Sequence, residues 1–259
     1  MKRVSAIWSV ERQDRLARLV QLRKRITVAE VCREFHVCLA TARRDLDAIA
    51  EQGRVQRVHG GAVAPAEAPP EGPALERASD QADEKRRIGK AAAELVGSSE
   101  TVVIGTGTTA LEAARNLVDR RDLTVITNSL LVVNLLSEST DINVICLGGM
   151  LRRSEMSLIG HIAEQALSEV RANKVIMGIR AIDVEQGLTN DYLPEAASDR
   201  VILKSGRQVI LVADHTKCGR VATGFVGPLE AVHTLVTDAR VPGSFISAVK
   251  KHGVNVITV

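Results

Sequence analysis

The apolar residues of the first sixty positions fall into three short groups with helical spacing. Within each group they recur three or four residues apart, which places them on one face of an α-helix. The groups are Leu16, Leu19 and Val20, then Val28, Val31, Cys32 and Phe35, and finally Leu39, Ala42, Leu46 and Ile49. This pattern predicts three short amphipathic helices that bury their apolar faces in one small core.

After residue 80 the pattern changes to short β-branched runs separated by segments long enough for helices. The runs are Thr101–Ile104, Leu123–Thr127, Ile142–Leu147, Lys174–Met177, Gln208–Ala213, Thr234–Thr237 and Asn255–Val259. Strands buried on both faces have continuous rather than alternating hydrophobicity, and helical crossovers join parallel neighbours. The pattern predicts an open, mostly parallel, doubly wound α/β domain, which binds ligands at the carboxyl ends of its strands.

A proline-rich stretch separates the two patterns. Residues 63–76 contain four of the seven prolines of the chain and few side chains that could pack. Such linkers are stiff and extended, and domain boundaries fall in them. We therefore predict a first domain over residues 1–62, a linker over 63–80 and a second domain over 81–259.

The second and third predicted helices are joined by a very short turn. The second runs from Thr27 to about Phe35, and the third begins near Cys38. This arrangement is typical of the helix-turn-helix, whose second helix lies in the major groove of DNA. There arginine contacts phosphate or guanine, and threonine contacts phosphate or a thymine methyl group. The candidate DNA contacts on this helix are Cys38, Leu39, Thr41, Arg43 and Arg44.

A basic segment follows the third helix. We expect the helix to end near Gln52-Gly53, after which residues 54–61 alternate basic and apolar side chains up to a glycine pair. The alternation predicts a short β-wing that lays Arg54, Arg57 and His59 along the DNA backbone. A small helical bundle that mediates only protein contacts is an alternative that periodicity leaves open.

The charge distribution favours a polyanionic partner for the first part of the chain alone. Residues 1–60 contain 13 Lys or Arg against 7 Asp or Glu, a net charge of +6, whereas residues 61–259 contain 21 against 24, a net charge of −3. Double-stranded DNA attracts such a basic module.

The four cysteines are scattered, and the sequence shows neither a membrane-spanning apolar run nor a secretory leader. We therefore expect a cytoplasmic protein without membrane attachment, metal or cofactor.

A loop rich in glycine and threonine follows the first strand of the second domain. Gly105, Thr106, Gly107, Thr108 and Thr109 lead directly into a helical segment. Glycines let the backbone approach an anion, while N–H groups, hydroxyls and the positive end of a helix bind it. The loop lacks the lysine of nucleoside triphosphate loops and the glycine spacing of dinucleotide sites, which favours a smaller phosphoester. An ordinary turn is the alternative.

Polar residues also follow other predicted strands, whose carboxyl ends converge on one crevice in an open α/β sheet. Lys217 is a candidate for pairing with a phosphate, and Asn128 and Asp214 are candidates for binding hydroxyl groups. Ordinary turn chemistry is the alternative for each of them. The candidates outside the loop are Asn128, Ser129, Gly148, Gly149, Asp214 and Lys217.

The helix-turn-helix region contains a long motif that goes beyond periodicity. Its residues are Thr41, Arg43, Arg44, Asp45, Leu46, Gly53 and the run Arg57–Ala62. The motif closely resembles that of the DeoR family of bacterial regulators, which implies a DNA-binding winged helix, usually of a repressor. Cys38 stands where the family usually has a serine, at the expected N-cap of the recognition helix.

A second set of matches extends over residues 84–259. The matching positions are Glu84–Ile88, Gly107–Thr109, Leu123–Val125, Thr127–Ser129, Gly148, Gly149, Gly160, Gly187, Asp214 and Lys217. They resemble the DeoR-type sensor domain, which is related in fold to ribose-5-phosphate isomerase, and they imply a phosphorylated sugar or related metabolite as the effector. Gly105, Ala181 and Cys218 depart from the common pattern, so the sugar itself is not named. Thr189, Asp191 and Glu195 are further candidates for the part that selects it, and a surface loop is the alternative for each.

These features together predict a DNA-binding transcriptional regulator, a repressor of sugar or carbohydrate genes whose operator binding is controlled by a phosphorylated sugar. A single winged helix makes few contacts, so we expect a homodimer or homotetramer. The alternative is an isomerase-like enzyme with an appended nucleic-acid-binding module, in which Asp191, Glu195 or Asp214 would act as general base. The chain lacks the Asp-Gly-Ala-Asp run of ribose-5-phosphate isomerases, so we predict no catalytic residue and no enzymatic activity.

Overall fold

The structure, a computed structural model, describes residues 9–51, 54–58, 60–64, 66–67 and 71–259. The chain divides into two compact units, Met1–Glu67 and Ala68–Val259. The division falls inside the stretch that the prolines mark as a linker. No helix in the described part of the chain is both long enough and apolar enough to cross a bilayer.

The first unit is a winged helix-turn-helix, as predicted. Its helices and strands are α1 (Ser9–Arg23), β1 (Arg25–Thr27), α2 (Val28–Phe35), α3 (Leu39–Glu51), β2 (Gln56–Val58), β3 (Gly61–Val63) and β4 (Ala66–Glu67). Strands β1, β3 and β2 form an antiparallel sheet in that order. Leu16, Val31, Leu46 and Ile49 are fully buried in one core, which confirms the interpretation of the helical spacing.

Local backbone chemistry fixes the turn between α2 and α3. Thr27 caps α2 by accepting a hydrogen bond from the Glu30 N–H, while the Glu30 carboxylate accepts one from the Thr27 N–H, 2.7 Å away. His36 ends the helix in the left-handed conformation, at φ 53°. The cap and the reversal set the angle at which α3 leaves the core.

Leu39 differs from its expected inward orientation, because 58% of its surface is exposed. It is the first residue of α3, one turn before Ala42, which is fully buried. The helical spacing was extended one turn too far toward the N-terminus of this helix. The predicted end of α3 near Gln52-Gly53 lies outside the described residues.

The turn of the wing requires small residues. Gly60 has φ +78°, and a Cβ atom built on Gly61 would lie 2.1 Å from the carbonyl oxygen of Ile26 on β1. The close approach of β3 to β1 is therefore possible only for glycine at this position. Val58 and Gly61 pair across the hairpin.

The second unit contains the predicted parallel sheet. Its first half comprises α4 (Ala82–Glu94), β5 (Thr101–Ile104), α5 (Thr108–Arg115), β6 (Leu123–Thr127), α6 (Leu130–Leu136), β7 (Ile142–Cys146), β8 (Met150–Arg152), β9 (Ser157–Ile159) and α7 (His161–Ser168). Its second half comprises β10 (Ala172–Gly178), β11 (Ala181–Asp183), β12 (Gly187–Asn190), α8 (Leu193–Lys204), β13 (Gly206–Val212), β14 (Arg220–Val221), β15 (Gly224–Gly227), β16 (Thr234–Thr237), α9 (Gly243–Lys251) and β17 (Asn255–Thr258).

All seven predicted runs form strands of one parallel sheet, in the order β17-β16-β13-β10-β5-β6-β7. The order reverses between β5 and β10, which makes this pair the topological switch point of a doubly wound fold. Alternate residues of β10 enter opposite cores: Ile176 packs with α4, α5 and α6, whereas Val175 and Met177 pack with α7 and α8. Burial on both faces explains the continuous hydrophobicity of the strands.

Two smaller sheets were not predicted. Strands β11, β12 and β15 form an antiparallel sheet, and β8 pairs with β9. Several of these strands contain glycine, threonine or asparagine in place of β-branched runs, as in β12 (Gly187–Asn190). Residues 71–80 also differ from a poorly packed linker, because they include a short 3-10 helix (Glu76–Ala78) and the buried Ala74.

The close packing of α4 against α5 depends on Gly89. A Cβ atom at this position would lie 2.5 Å from the backbone carbonyl carbon of Glu112. We expect Gly89→Ala to force the helices apart and to lower the free energy of unfolding by about 1–3 kcal/mol, measured by urea denaturation. Lys90→Ala, at an exposed position of the same helix, should change it by less than about 0.5 kcal/mol. Equal stabilities of the two variants would contradict the packing argument.

Candidate functional site

A cavity of about 600 Å³ lies at the switch point of the sheet. Residues at the carboxyl ends of three neighbouring strands line it: Thr106–Thr109 after β5, Gly178–Arg180 at the end of β10 and Asp214 after β13. Gly178 lets two of these loops approach each other, because a Cβ atom there would lie 3.2 Å from the carbonyl oxygen of Thr106. The volume lies within the range of small-molecule sites.

The loop after β5 presents the start of helix α5 to the cavity. Gly107 adopts φ +104° at the N-cap position, and none of the described side chains caps it. Thr108 and Thr109 follow in the first turn, and both line the cavity. Free N–H groups and hydroxyls at a helix N-terminus are suited to bind an anion, so the anion site stays a prediction that this geometry allows.

Basic side chains converge on the same cavity from other elements. Lys217 is held by a 3-10 turn whose start is capped by Asp214, which accepts a hydrogen bond from the Thr216 N–H, 2.9 Å away. Burial lowers the pKa of Lys217 to about 8. Lys85, on α4, donates to the carbonyl oxygen of Arg77 at 2.6 Å, and burial lowers its pKa, while the Asp214 carboxylate raises it. Arg180 follows β10.

The cavity is also lined by two buried carboxyl groups. Glu195 and Asp199 lie four residues apart on α8, and the Asn190 amide donates to both, at 3.2 and 2.8 Å. Arg152, from the β8–β9 hairpin, pairs with Glu195. Burial raises the pKa of Glu195, and burial together with the Glu195 carboxylate raises the pKa of Asp199 to about 8. A protonated Asp199 both donates and accepts hydrogen bonds at neutral pH, which suits a hydroxyl group of a ligand.

Six of the eleven predicted effector-binding residues line the cavity. They are Thr106, Gly107, Thr108, Thr109, Asp214 and Lys217. Asp191 and Glu195 also line it. Thr189 instead accepts a hydrogen bond from the Ala222 N–H at 2.8 Å.

The other five predicted residues are placed outside the lining that the described residues form. Gly105 donates to Ile176 across the switch point, at 2.9 Å. Asn128 donates to the carbonyl oxygen of Leu158 at 3.2 Å, and Ser129 caps α6. Gly148 and Gly149 precede β8, and a Cβ atom on Gly149 would lie 2.7 Å from the carbonyl oxygen of Ile159. Contacts of this kind position the β8–β9 hairpin, which carries Arg152.

Several lining residues were missed by sequence reasoning. They are Glu71, Arg77, Lys85, Arg152, Glu155, Arg180, Asn190 and Asp199. Most belong to elements that periodicity did not predict, the short sheets and the stretch assigned to a linker. The spacing of Glu195 and Asp199 on a helix was a signal that both carboxyl groups share one face.

In the first unit, α3 presents two arginines to solvent. Arg43 and Arg44 are exposed, and neither forms an ion pair with a residue that the structure describes. The Thr41 hydroxyl contacts the Cys38 thiol at 3.3 Å. Both residues lie at the start of α3, as does the exposed Leu39. This surface has the residues that major-groove recognition requires.

The two arginines at the wing are paired within the first unit. Arg54 contacts Asp14 at 2.5 Å, and Arg57 contacts Asp47 at 2.7 Å. Exposed ion pairs stabilise a fold by only about 0–1 kcal/mol, so exchange of these carboxylates for DNA phosphates costs little. His59 lies outside the described residues.

A winged helix-turn-helix together with a doubly wound domain that has a polar cavity at its switch point is the architecture of a DNA-binding regulator. Comparisons with known proteins give the family. The family described as "DeoR-like helix-turn-helix domain" matches residues 12–68, and "DeoR C terminal sensor domain" matches residues 80–239. The chain belongs to the DeoR family and is a DNA-binding transcriptional repressor rather than an enzyme.

Curated relatives cover almost the whole chain. The transcriptional repressor AccR of Agrobacterium fabrum is 34% identical over 88% of this chain and 90% of its own length. The glycerol-3-phosphate regulon repressor of Escherichia coli is 33% identical over 93% and 96%. Ribose 5-phosphate isomerase A from Neisseria gonorrhoeae is a structural neighbour with 19% identity, a TM-score of 0.39 and coverage of 52% of each chain.

The buried carboxyl group of Asp199 makes the stability of the second unit depend on pH. Its pKa is about 8 in the folded protein and about 4 in an unfolded chain. Between these values the folded state binds more protons, so the free energy of unfolding decreases as the pH rises, by up to about 1.4 kcal/mol per pH unit. We expect Asp199→Asn to flatten the dependence of the melting temperature on pH between 5 and 8, and to raise the melting temperature at pH 8.

Asp119→Asn, at an exposed position, serves as the control and should keep the slope of the unmodified protein. If the slope also survives in Asp199→Asn, another group causes the pH dependence and the assignment of the buried proton is wrong.

Proposed function

We propose that this protein represses carbohydrate genes and that a phosphorylated sugar in the cavity of the second unit controls its binding to operator DNA. The observation that carries the proposal is the pairing of two chemistries in one cavity. The start of α5, which none of the described side chains caps, and Lys217 line the same cavity and suit a phosphate group. The carboxyl pair Glu195 and Asp199, with Asn190 between them, suits hydroxyl groups.

The relatives support the class of effector and of target genes. One is named as the repressor of the glycerol-3-phosphate regulon, and another is named as a putative repressor of the aga operon. In this proposal Thr106–Thr109 belong to the site directly, whereas Gly105, Asn128, Ser129, Gly148 and Gly149 contribute through the strand ends and loops that they position. The protein would act in the cytoplasm, where its DNA lies.

The experiment is fluorescence anisotropy on the DNA upstream of the protein's own gene, at fixed salt, with a panel of sugar phosphates. We expect one phosphorylated sugar to change the DNA affinity by about fivefold or more, a typical coupling between two sites. The unphosphorylated sugar should have no effect. If the protein binds DNA but no sugar phosphate changes its DNA affinity, a phosphorylated sugar is not the effector and the proposal fails.

Two substitutions separate the proposed sites. Thr108→Val removes a hydroxyl at the helix start and should weaken the ligand response with little change in DNA affinity. Arg44→Ala should weaken DNA binding by about tenfold or more and leave ligand binding unchanged. Thr140→Val and Arg207→Ala, both at exposed positions of the second unit, are matched controls. If Thr108→Val and Arg44→Ala have the same effect, the assignment of the two sites is wrong.

Control of DNA binding by a ligand also requires more than one winged helix. Two recognition helices on neighbouring half-sites multiply the few contacts of one, and an effector can change their spacing. We therefore propose a homodimer or homotetramer. Multi-angle light scattering at micromolar concentration should give the mass of two or four chains, and the mass of one chain would contradict this part of the proposal.

A further inference from the structure

Residues 71–78 form a strap along one side of the cavity. The Ala74 N–H donates to the carbonyl oxygen of Ser154 at 2.7 Å. Arg77 donates to both carboxylate oxygens of Glu155, at 2.7 and 2.6 Å, and Lys85 donates to the Arg77 carbonyl oxygen. Ala74 itself is 1% exposed. The strap is therefore anchored by specific contacts within the second unit.

The strap places the carboxylate of Glu71 in the cavity. This carboxylate contacts Arg77 and Arg180, each at 3.1 Å, and it also contacts the Lys217 ammonium group. The side chains are poorly accessible, with exposed fractions of 17% for Glu71, 8% for Arg180 and 15% for Lys217. Three basic groups from three separate parts of the chain thus surround one acidic side chain.

Partly buried cations are costly unless an anion neutralises them. Arg77 and Arg180 have further acidic partners, Glu155 and Asp191, but Glu71 is the carboxylate that all three basic groups share. A phosphate monoester carries more charge than a carboxylate and three acceptor oxygens, so it fits the same donors at least as well. The three basic groups therefore have the geometry of an anion site, and the Glu71 carboxylate occupies it.

We propose that Lys217, Arg180 and Arg77 form an anion subsite for which Glu71 competes with the anionic group of the effector. The inference rests on the proposed function in that it concerns the same cavity. It adds Arg180 and Arg77 to the subsite, and it makes Glu71, which the strap carries, an internal competitor for the effector.

The test is the affinity of the full-length protein for inorganic phosphate, measured by isothermal titration calorimetry. An internal competitor weakens the apparent affinity by the fraction of time that the subsite is open. If Glu71 occupies the subsite for more than about four-fifths of the time, Glu71→Gln tightens phosphate binding at least about fivefold. Glu76→Gln makes the same charge change on the strap, at an exposed residue without an ion pair to a described residue. It should leave the affinity unchanged.

An unchanged or weaker affinity in Glu71→Gln would overturn the proposal, as would equal tightening in both variants or no phosphate binding to any of the proteins. Lys217→Met should abolish phosphate binding, both as a single substitution and in combination with Glu71→Gln. Circular dichroism and the melting temperature check that each variant is folded.

Hydrogen exchange gives a second readout on the unmodified protein. Phosphate should accelerate exchange of the strap peptide that contains the Ala74 amide, and in Glu71→Gln this exchange should already be fast. Slower exchange on phosphate addition would contradict displacement. Neither measurement involves DNA, so both can succeed even if no sugar phosphate changes operator affinity, in which case the proposed function fails and the anion subsite stands.

Discussion

The reversal of strand order between β5 and β10 is the constraint on which the second unit depends. One face of the sheet is covered by α4, α5 and α6, and the other face by α7, α8 and α9. The chain therefore leaves the carboxyl ends of β5 and β10 in opposite directions, and no crossover fills the space between them. The cavity occupies that space. The glycines at 105 and 178 keep it narrow, because they allow the two strand ends to approach closely.

Charge pairing organises the cavity that this topology creates. The start of α5 and the basic groups of Lys217, Lys85 and Arg180 line it together with the carboxyl groups of Glu195 and Asp199. Burial raises the pKa of Asp199 and lowers the pKa of Lys217, because it disfavours the charged form of each group. The phosphate and the hydroxyl groups of the proposed effector would both find partners in this set.

The first unit solves a different problem, which is to expose a helix without loss of its core. The capping box at Thr27 and the left-handed His36 fix the orientation of α3 by local hydrogen bonds. Leu46 and Ile49 anchor the buried side of the helix. Asp45 is also held, by Arg12 at 2.6 Å, so the motif Arg-Arg-Asp divides into two exposed arginines and one structural carboxylate.

Local sequence determined much of this protein. Helical spacing predicted α1 to α3, continuous β-branched runs predicted all seven strands of the parallel sheet, and the residue types after β5 marked a loop that lines the cavity. These signals work because each depends on neighbours within a few residues, as does the family motif at residues 41–62. Spacing does not determine where the buried stripe of a helix stops, and Leu39, at the start of α3, is exposed although it continues the apolar spacing.

Tertiary structure alone decided which polar residues meet. Asn128 and Lys217 both follow predicted strands, yet Asn128 supports the β8–β9 hairpin while Lys217 enters the cavity. Glu71, Arg152 and Asp199 come from segments distant in sequence, and no local pattern links them. Their protonation and pairing depend on burial, which is a property of the whole packed unit. Residue types and spacing therefore predicted which kinds of chemical group the site would contain, whereas only the fold determined which residues line it.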